Sequence, residues 1–441
     1  MEYQAALRYL DSVTNYEIID DYNYRESLGL ERMKLICGLL GDPQKDIRSI
    51  HIAGSKGKGS TAAIVYSILE EAGYRVGLYT SPHLISLRER IRVSGELISE
   101  EELAGFLGRI KDLVKDLGGD QAPTFFEMCT ALAFQHFKQK KADFAVFETG
   151  LGGRLDATNI LTPLVCGITP ISYEHTDRLG NTLAEIAGEK AGIIKRDSVC
   201  VSSAQEEEAA SVIRAAAADR GARLYEVGRD IILEKVKGGE KGQVINVFGV
   251  FGEYPRCELK LLGDHQAANA ATAIGIVECL RFSGFIVPAD AVRQGLANAE
   301  WSGRLEALRR DPLVVLDGAQ NSASAGALIK ALRETFRYDK LILILGVSKD
   351  KDIEGICERL EPASDHIFLT KSRVRQRALD PSVIKGHIKG KEKVVSLTGS
   401  VEEAIELAGK TAGSGDLILI TGSLFLVGEA KAALSPDSVI S

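Results

Sequence analysis

The sequence contains no Cys-x-x-Cys pair. Its seven cysteines, at 37, 129, 166, 200, 257, 279 and 357, are odd in number and widely spaced. That excludes a disulfide framework and a thiolate zinc site, and points to reduced, mostly buried thiols of a cytosolic protein. No apolar run approaches the about 18 residues of a membrane-spanning helix. The opening Met-Glu-Tyr-Gln-Ala lacks the basic segment of a secretory signal, so a cytoplasmic protein without a membrane partner is expected. Positive charge is not in excess either: 54 Lys and Arg against 61 Asp and Glu leave a net charge of −7. This gives no general attraction to nucleic acid or anionic lipid, so any anionic ligand needs a local device to hold it. There is no internal repeat, and the one biased tract is a Glu/Ala-rich helix at 206–218.

What is present is globular. The chain has 441 residues, 45% of them hydrophobic and 26% charged, enough for two or three domains with cores of their own. Apolar strand-like runs alternate with helical stretches. Ile50 to Ala53 precedes the helix-like Ser60 to Ala72, and Val76 to Tyr79, Phe144 to Phe147, Val165 to Ile168 and Val199 to Val201 continue the series. This predicts right-handed β-α-β units and an α/β fold with a mostly parallel sheet covered by helices on both faces. Tyr225 to Leu262 breaks the pattern and reads as an antiparallel hairpin at an edge of that sheet. A second α/β series runs from Leu313-Val-Val-Leu316 through Leu341-Ile-Leu-Ile-Leu345 and His366-Ile-Phe-Leu369 to Leu417-Ile-Leu-Ile-Thr421. A Gly-containing stretch with the only Trp separates the two. The boundary is therefore placed near 299, giving a phosphate-loop domain at 1–298 and a smaller Rossmann-like domain at 299–441.

The local device for anions is His51-Ile-Ala-Gly54-Ser55-Lys56-Gly57-Lys58-Gly59-Ser60-Thr61, a strand running through a Gly-rich loop into a helix. Phosphate oxygens need close backbone approach, so Gly57 and Gly59 stand where a Cβ would block the path. The amides of Lys58 to Thr61 face the anion, Lys58 neutralises charge between β- and γ-phosphates, and Ser60 or Thr61 offers a hydroxyl to Mg²⁺. Glu148, at the carboxyl end of a strand expected to be buried and parallel beside this loop, is a reasonable Mg²⁺ ligand. By itself Lys190 reads as a solvated helix lysine, and Phe125 and Phe126 serve equally well as core residues.

The G-x-x-G-K-G-[ST] loop resembles that of the Mur ligase superfamily, which joins a carboxylate to an amine using ATP. Further stretches resemble one branch of it, the folylpolyglutamate synthase and dihydrofolate synthase family, over nearly the whole chain. They include Glu148-Thr-Gly-Leu-Gly-Gly-Arg154-Leu-Asp156-Ala157-Thr-Asn159, Tyr173-Glu174-His175, Glu189-Lys190, Asn269, Trp301-Ser-Gly-Arg304, Asp317-Gly-Ala-Gln320-Asn321 and Ile420-Thr-Gly-Ser423. The resemblance implies catalytic roles for Lys58, Glu148, His175 and Lys190. It implies two Mg²⁺ ions held by Ser60, Glu148, His175 and a carbamylated Lys190. ATP would lie on Gly54, Gly57, Lys58, Gly59, Ser60, Thr61, Asn269, Arg304 and Asp317. The folate or pterin would lie on Ser81, Phe126, Asp156 and Ala157, with an aromatic face and a carboxylate pairing the ring nitrogens. Glutamate would meet Gln320 and Ser423.

Two positions depart from the family pattern. Glu174 stands where most relatives have Asp, and Gln320 where they have His. Gln320 donates hydrogen bonds but cannot carry charge or act as a base. The function expected is ATP-dependent addition of L-glutamate to dihydropteroate or a reduced folate through an acyl phosphate, by a monomer with small-molecule partners only. A cell-wall Mur ligase would need an N-terminal nucleotide-sugar domain, for which a loop beginning at residue 54 leaves no room. A kinase would give the second domain no purpose. A non-catalytic nucleotide-binding scaffold is the remaining alternative.

Overall fold

The computed structural model describes all residues except 20–21, 375–376, 391 and 435–441. Its first sheet holds β1 (Ser49–Ala53), β2 (Val76–Tyr79), β3 (Ile91–Val93), β4 (Glu96–Leu97), β5 (Phe144–Glu148), β6 (Val165–Ile168), β7 (Val199–Ser202) and β8 (Arg223–Glu226). The order is β4-β3-β2-β5-β1-β6-β7-β8, parallel except for the β3 and β4 edge. Strands β1, β2, β5, β6 and β7 are buried along their whole length, as a parallel sheet covered on both faces requires. Helices Lys58–Glu71 and Asp264–Cys279 pack one face, and Glu100–Val114 and Phe125–Gln139 the other. Strand β1 lies between β5 and β6, with Ile52 beside Glu148 and Ala53 beside Ile168. The loops leaving three neighbouring strands therefore open at one end of the sheet, where ligands of doubly wound folds bind.

A second sheet of β12 (Glu306–Arg310), β13 (Leu313–Leu316), β14 (Leu341–Leu345), β15 (His366–Leu369), β16 (Val394–Leu397) and β17 (Leu417–Thr421) has the order β12-β13-β17-β14-β15-β16. Only β12 is antiparallel. The strands expected at β13, β14, β15 and β17 form at their expected bounds, because each is a short, largely apolar run buried over most of its length.

The segment after β8 differs from expectation. It is not a hairpin on the edge of the main sheet but a separate antiparallel sheet of β9 (Ile232–Gly239), β10 (Gly242–Phe248) and β11 (Glu253–Leu259). Ile245, Val247, Tyr254, Cys257 and Leu259 turn inward to the core that holds helix Asp264–Cys279. That helix is buried on nearly every side, so it needs a second apolar layer that the first sheet cannot supply.

All seven cysteines are free and buried. Among the described residues no helix is long and apolar enough to cross a membrane.

Candidate active site

Between the carboxyl ends of β5, β1 and β6 and the loops of the second sheet lies a cavity of about 250 Å³. Lys58, Glu148, His175 and Lys190 line it from one side, and Arg304, Gln320, Ser348, Lys351 and Arg377 from the other.

The phosphate loop meets this cavity through Ser55 and Lys58. Gly54 and Gly57 have φ of +147° and +84°, and the helix starts at Lys58. The glycines are required first by the protein's own packing. A Cβ on Gly57 would lie 2.2 Å from Asn269 Oδ1, and one on Gly59 would lie 2.7 Å from the Trp301 ring. Asn269 thus braces the loop, and its Nδ2 donates to Gln266 Oε1 at 2.9 Å while Gln266 Nε2 donates to Ser60 Oγ at 3.2 Å. Of the four amides expected to face an anion, that of Thr61 already donates to Gly57 O at 2.8 Å. Thr61 is the first residue whose amide bonds back within the helix, so those of Lys58, Gly59 and Ser60 remain. Gly59→Ala is expected to push Trp301 aside at a cost of about 1–3 kcal/mol, read as a lower melting temperature together with weaker ADP binding by calorimetry.

Two ammonium groups converge on one carbonyl: Lys58 Nζ and Lys190 Nζ each donate to Gly54 O at 2.9 Å. Lys190 is not the solvated lysine its sequence context implies, because its side chain is 1% exposed. Helix Leu183–Ala191 buries Ile186, Ala187 and Ala191 in its own core cluster, and its last turn thereby closes over the phosphate loop. Lys190 Nζ also lies 2.7 Å from Glu174 Oε1. Burial holds the Lys190 ammonium below the usual lysine range against the pull of Glu174. Burial alone would raise Glu174, but Lys190, Lys58 and His175 outweigh it and hold the carboxyl below its ordinary value. His175 has a left-handed φ of 45°. Burial pushes its imidazole down to about 4, so it stands neutral at pH 7. Glu148 is buried and accepts Ser81 N at 3.2 Å; desolvation raises it, opposed by Lys58 and Arg304.

On the far wall stand Ser81, Phe126, Asp156 and Ala157. Phe126 faces the cavity while Phe125 belongs to the core, with the Arg90 guanidinium 5.1 Å above its ring. Asp156 is not a bare carboxylate facing a ligand. One oxygen accepts Gly150 N and Leu151 N, and the other accepts the Thr158 amide and hydroxyl. That fills its four lone-pair positions and fixes the loop that carries Ala157. Glu127 likewise pairs with Arg32 at 3.0 Å and caps its helix with Thr124. Arg154 binds Glu189, the residue before Lys190, tying this loop to the lysine's helix.

In the second domain Arg304 and Gln320 reach the cavity. Asp317 instead accepts Leu305 N and Ala319 N, and Ser423 Oγ accepts Phe425 N, leaving Leu424 and Phe425 at the wall. Asn269, Asp317 and Ser423 therefore stand behind the lining. Tyr16, Glu17, Tyr22, Arg178, Lys351 and Arg377 line the cavity without having been singled out by sequence. Lys351 had a usable signal, since it follows β14 at the carboxyl end of a parallel strand. The N-terminal residues had none, for they lie in no periodic element.

The chain matches the model of the Mur ligase middle domain over residues 52–277 and that of the Mur ligase glutamate ligase domain over 303–424. It is 36% identical to the dihydrofolate synthase/folylpolyglutamate synthase of Bacillus subtilis over 411 residues, covering 92% of this chain and 95% of that protein. To the folylpolyglutamate synthase of Lacticaseibacillus casei it is 33% identical, covering 98% and 99%. Among solved structures, Mycobacterium tuberculosis folylpolyglutamate synthase complexed with ADP superposes with a TM-score of 0.89 at 34% identity, over 98% of this chain and 99% of that one. E. coli FolC in complex with DHPP and ADP superposes with a TM-score of 0.87 at 30% identity, over 99% and 98%.

Proposed function

Because the chain belongs to the folylpolyglutamate synthase and dihydrofolate synthase family of Mur ligases, and is an ATP-dependent ligase of glutamate to folate, we propose that its cavity takes both dihydropteroate and reduced folates. The observation that carries this reading is the single cavity with a phosphate-loop lysine at one end, the Phe126 and Ala157 wall at the other, and Arg304 and Gln320 across from both. ATP gives its γ-phosphoryl group to the substrate carboxylate, because a carboxylate repels nucleophiles and has no good leaving group. Lys58 and the loop amides stabilise the charge spread over the transferring phosphoryl oxygens. The acyl phosphate is attacked by the amine of L-glutamate, forming the amide and releasing phosphate. Residues 1–298 and 299–441 act as the two domains, and their contact over the cavity excludes water that would hydrolyse the intermediate. Gln320 hydrogen-bonds the incoming glutamate without charge.

The donor set fits one Mg²⁺. Magnesium binds through one or two carboxylates plus phosphate oxygens and water. Glu148 is a buried carboxylate whose ionisation a dication would favour, and Thr61 Oγ1, next to Ser60, is a buried hydroxyl oxygen that finds no partner among the described residues. Bound there, Mg²⁺ neutralises phosphate charge. The second ion is different, since an ammonium at Lys190 repels a cation. Carbamylation of Lys190 would set two anions, the carbamate and Glu174, side by side with neutral His175 near them, an arrangement that a cation balances. The free, buried cysteines support a reducing, cytoplasmic setting, and the net charge of −7 supports a monomer with small-molecule partners and no nucleic acid.

The test is ADP release with dihydropteroate or tetrahydrofolate, with and without L-glutamate. Glutamate-dependent release on either substrate is expected. ATP binding with no turnover on any pterin would favour the scaffold reading.

A further inference from the structure

Tyr16 and Glu17, in an N-terminal segment that no helix or strand contains, line the cavity. The segment is anchored to the first domain at two points. Phe125 N donates to Thr14 O at 2.8 Å, and the carboxylate of Glu17 takes a bidentate fork from Arg90, with both N···O distances at 2.7 Å. It is also held from the second domain, since Arg377 Nη1 donates to the Glu17 carbonyl oxygen while Arg377 Nη2 pairs with Asp350 at 2.7 Å.

Arg90 has a second attachment. Its Nε donates to His83 Nδ1 at 2.9 Å, and His83 belongs to the loop that begins at Ser81 on the folate-side wall. Burial, with Arg90 beside it, pushes the His83 imidazole down to about 3, so the ring is the neutral acceptor this bond needs. The next residue of the loop, Leu84, packs against the second domain's core, and a Cβ on Gly428 would lie 2.0 Å from its carbonyl oxygen. Two separate segments of the first domain thus touch the second, and one guanidinium, 2% exposed, ties them together. A buried arginine whose fork and Nε are all engaged cannot shift toward one partner without leaving another unpaired, which is costly in a desolvated site.

We propose that Glu17 and Arg90 are positioning residues that couple the second domain, through Arg377, to the Ser81–His83 wall of the folate site. Contact of Arg377 with the Glu17 backbone sets the Glu17 carboxylate, the carboxylate sets Arg90, and Arg90 sets His83 and with it Ser81. The proposal rests on the folate reading of the cavity, and its test separates the two.

Amide hydrogen exchange is compared in the full chain with ADP and no folate, for the unsubstituted protein, Arg377→Met, Glu17→Gln and the double variant. Steady-state kinetics on tetrahydrofolate are run alongside. Arg377→Met leaves the first domain's own contacts in place, so it is informative even where Glu17→Gln folds poorly. Faster exchange over residues 81–90 is expected in Arg377→Met, with a KM for tetrahydrofolate raised about tenfold and a KM for ATP changed less than about twofold. The double variant should be no worse than the more damaging single one, the non-additivity that coupled residues show. Unchanged exchange over 81–90, equal rises in both KM values, or additive effects would overturn the coupling. If the unsubstituted protein turns over no folate, the ligase reading falls instead, and the exchange comparison still decides the coupling.

Discussion

Lys58→Ala is expected to lower kcat by at least about 10³-fold, the scale on which one charged contact to the transferring phosphoryl group acts. The geometry makes this a clean substitution. Lys58 opens its helix, and its ammonium hydrogen-bonds the Gly54 carbonyl at 2.9 Å, while it acts on Glu148 and Glu174 through space. Removing the amine leaves Gly54 O with its bond from Lys190, so no buried acceptor is orphaned. The melting temperature should therefore change little while ADP release stops. Near-normal turnover in a folded Lys58→Ala protein would mean that phosphate is bound elsewhere. Arg304 would then be the first residue to examine, since it faces Glu148 from the opposite wall.

Lys190→Met should instead damage both stability and activity. Lys190 is 1% exposed and its partner Glu174 18%, so truncating the ammonium leaves a mostly desolvated carboxylate without its closest cation. Breaking a buried pair by removing one member costs about 3–5 kcal/mol, and the lower end applies here because Lys58 still faces Glu174. Glu174→Gln is the companion variant and carries a pH signature. The folded Glu174 carboxyl is held below its unfolded value, so its contribution to stability is complete above about pH 4.3 and fades as pH falls through the folded value. Denaturant melts should show the deficit of Glu174→Gln shrinking as pH drops below about 4, and a deficit constant down to strong acid would rule the pair out as a source of stability. Intact mass of the unsubstituted protein with and without bicarbonate then tests the carbamate. An unmodified Lys190 that persists in bicarbonate would assign the lysine a permanent role as an ammonium.

The sequence made the strands legible wherever a run was both apolar and branched. Leu341–Leu345 and Leu417–Thr421 have no other way to bury every side chain than inside a parallel sheet. The phosphate loop was legible for a similar reason, since Gly, Lys and hydroxyl residues between a strand and a helix serve few other purposes. What stayed hidden depends on partners distant in sequence. The burial of Lys190 depends on where its helix packs, and its immediate neighbours Glu189 and Ala191 do not announce that. The true constraint on Gly59 is a tryptophan more than two hundred positions away. The saturation of Asp156 depends on backbone amides, which have no sequence signature. Glu17 and Arg90 are 73 positions apart and carry no sequence signal; only the fold brings them together at 2.7 Å. The separate sheet β9–β11 was misplaced because alternation shows that a face is covered but not by what.

Gly54 O accepts from two like-charged amines at once, and the Lys58 charge disfavours the Lys190 proton. The fold holds both ammonium groups on one carbonyl, and the Glu174 carboxylate, 2.7 Å from Lys190, offsets part of their repulsion. A polyphosphate bound at Lys58, as proposed, would meet cations that the fold has already gathered, so little of its binding would go into bringing them together. The sign of the whole molecule then matters little, because the net charge of −7 is spread over the chain whereas these amines act on whatever touches the loop.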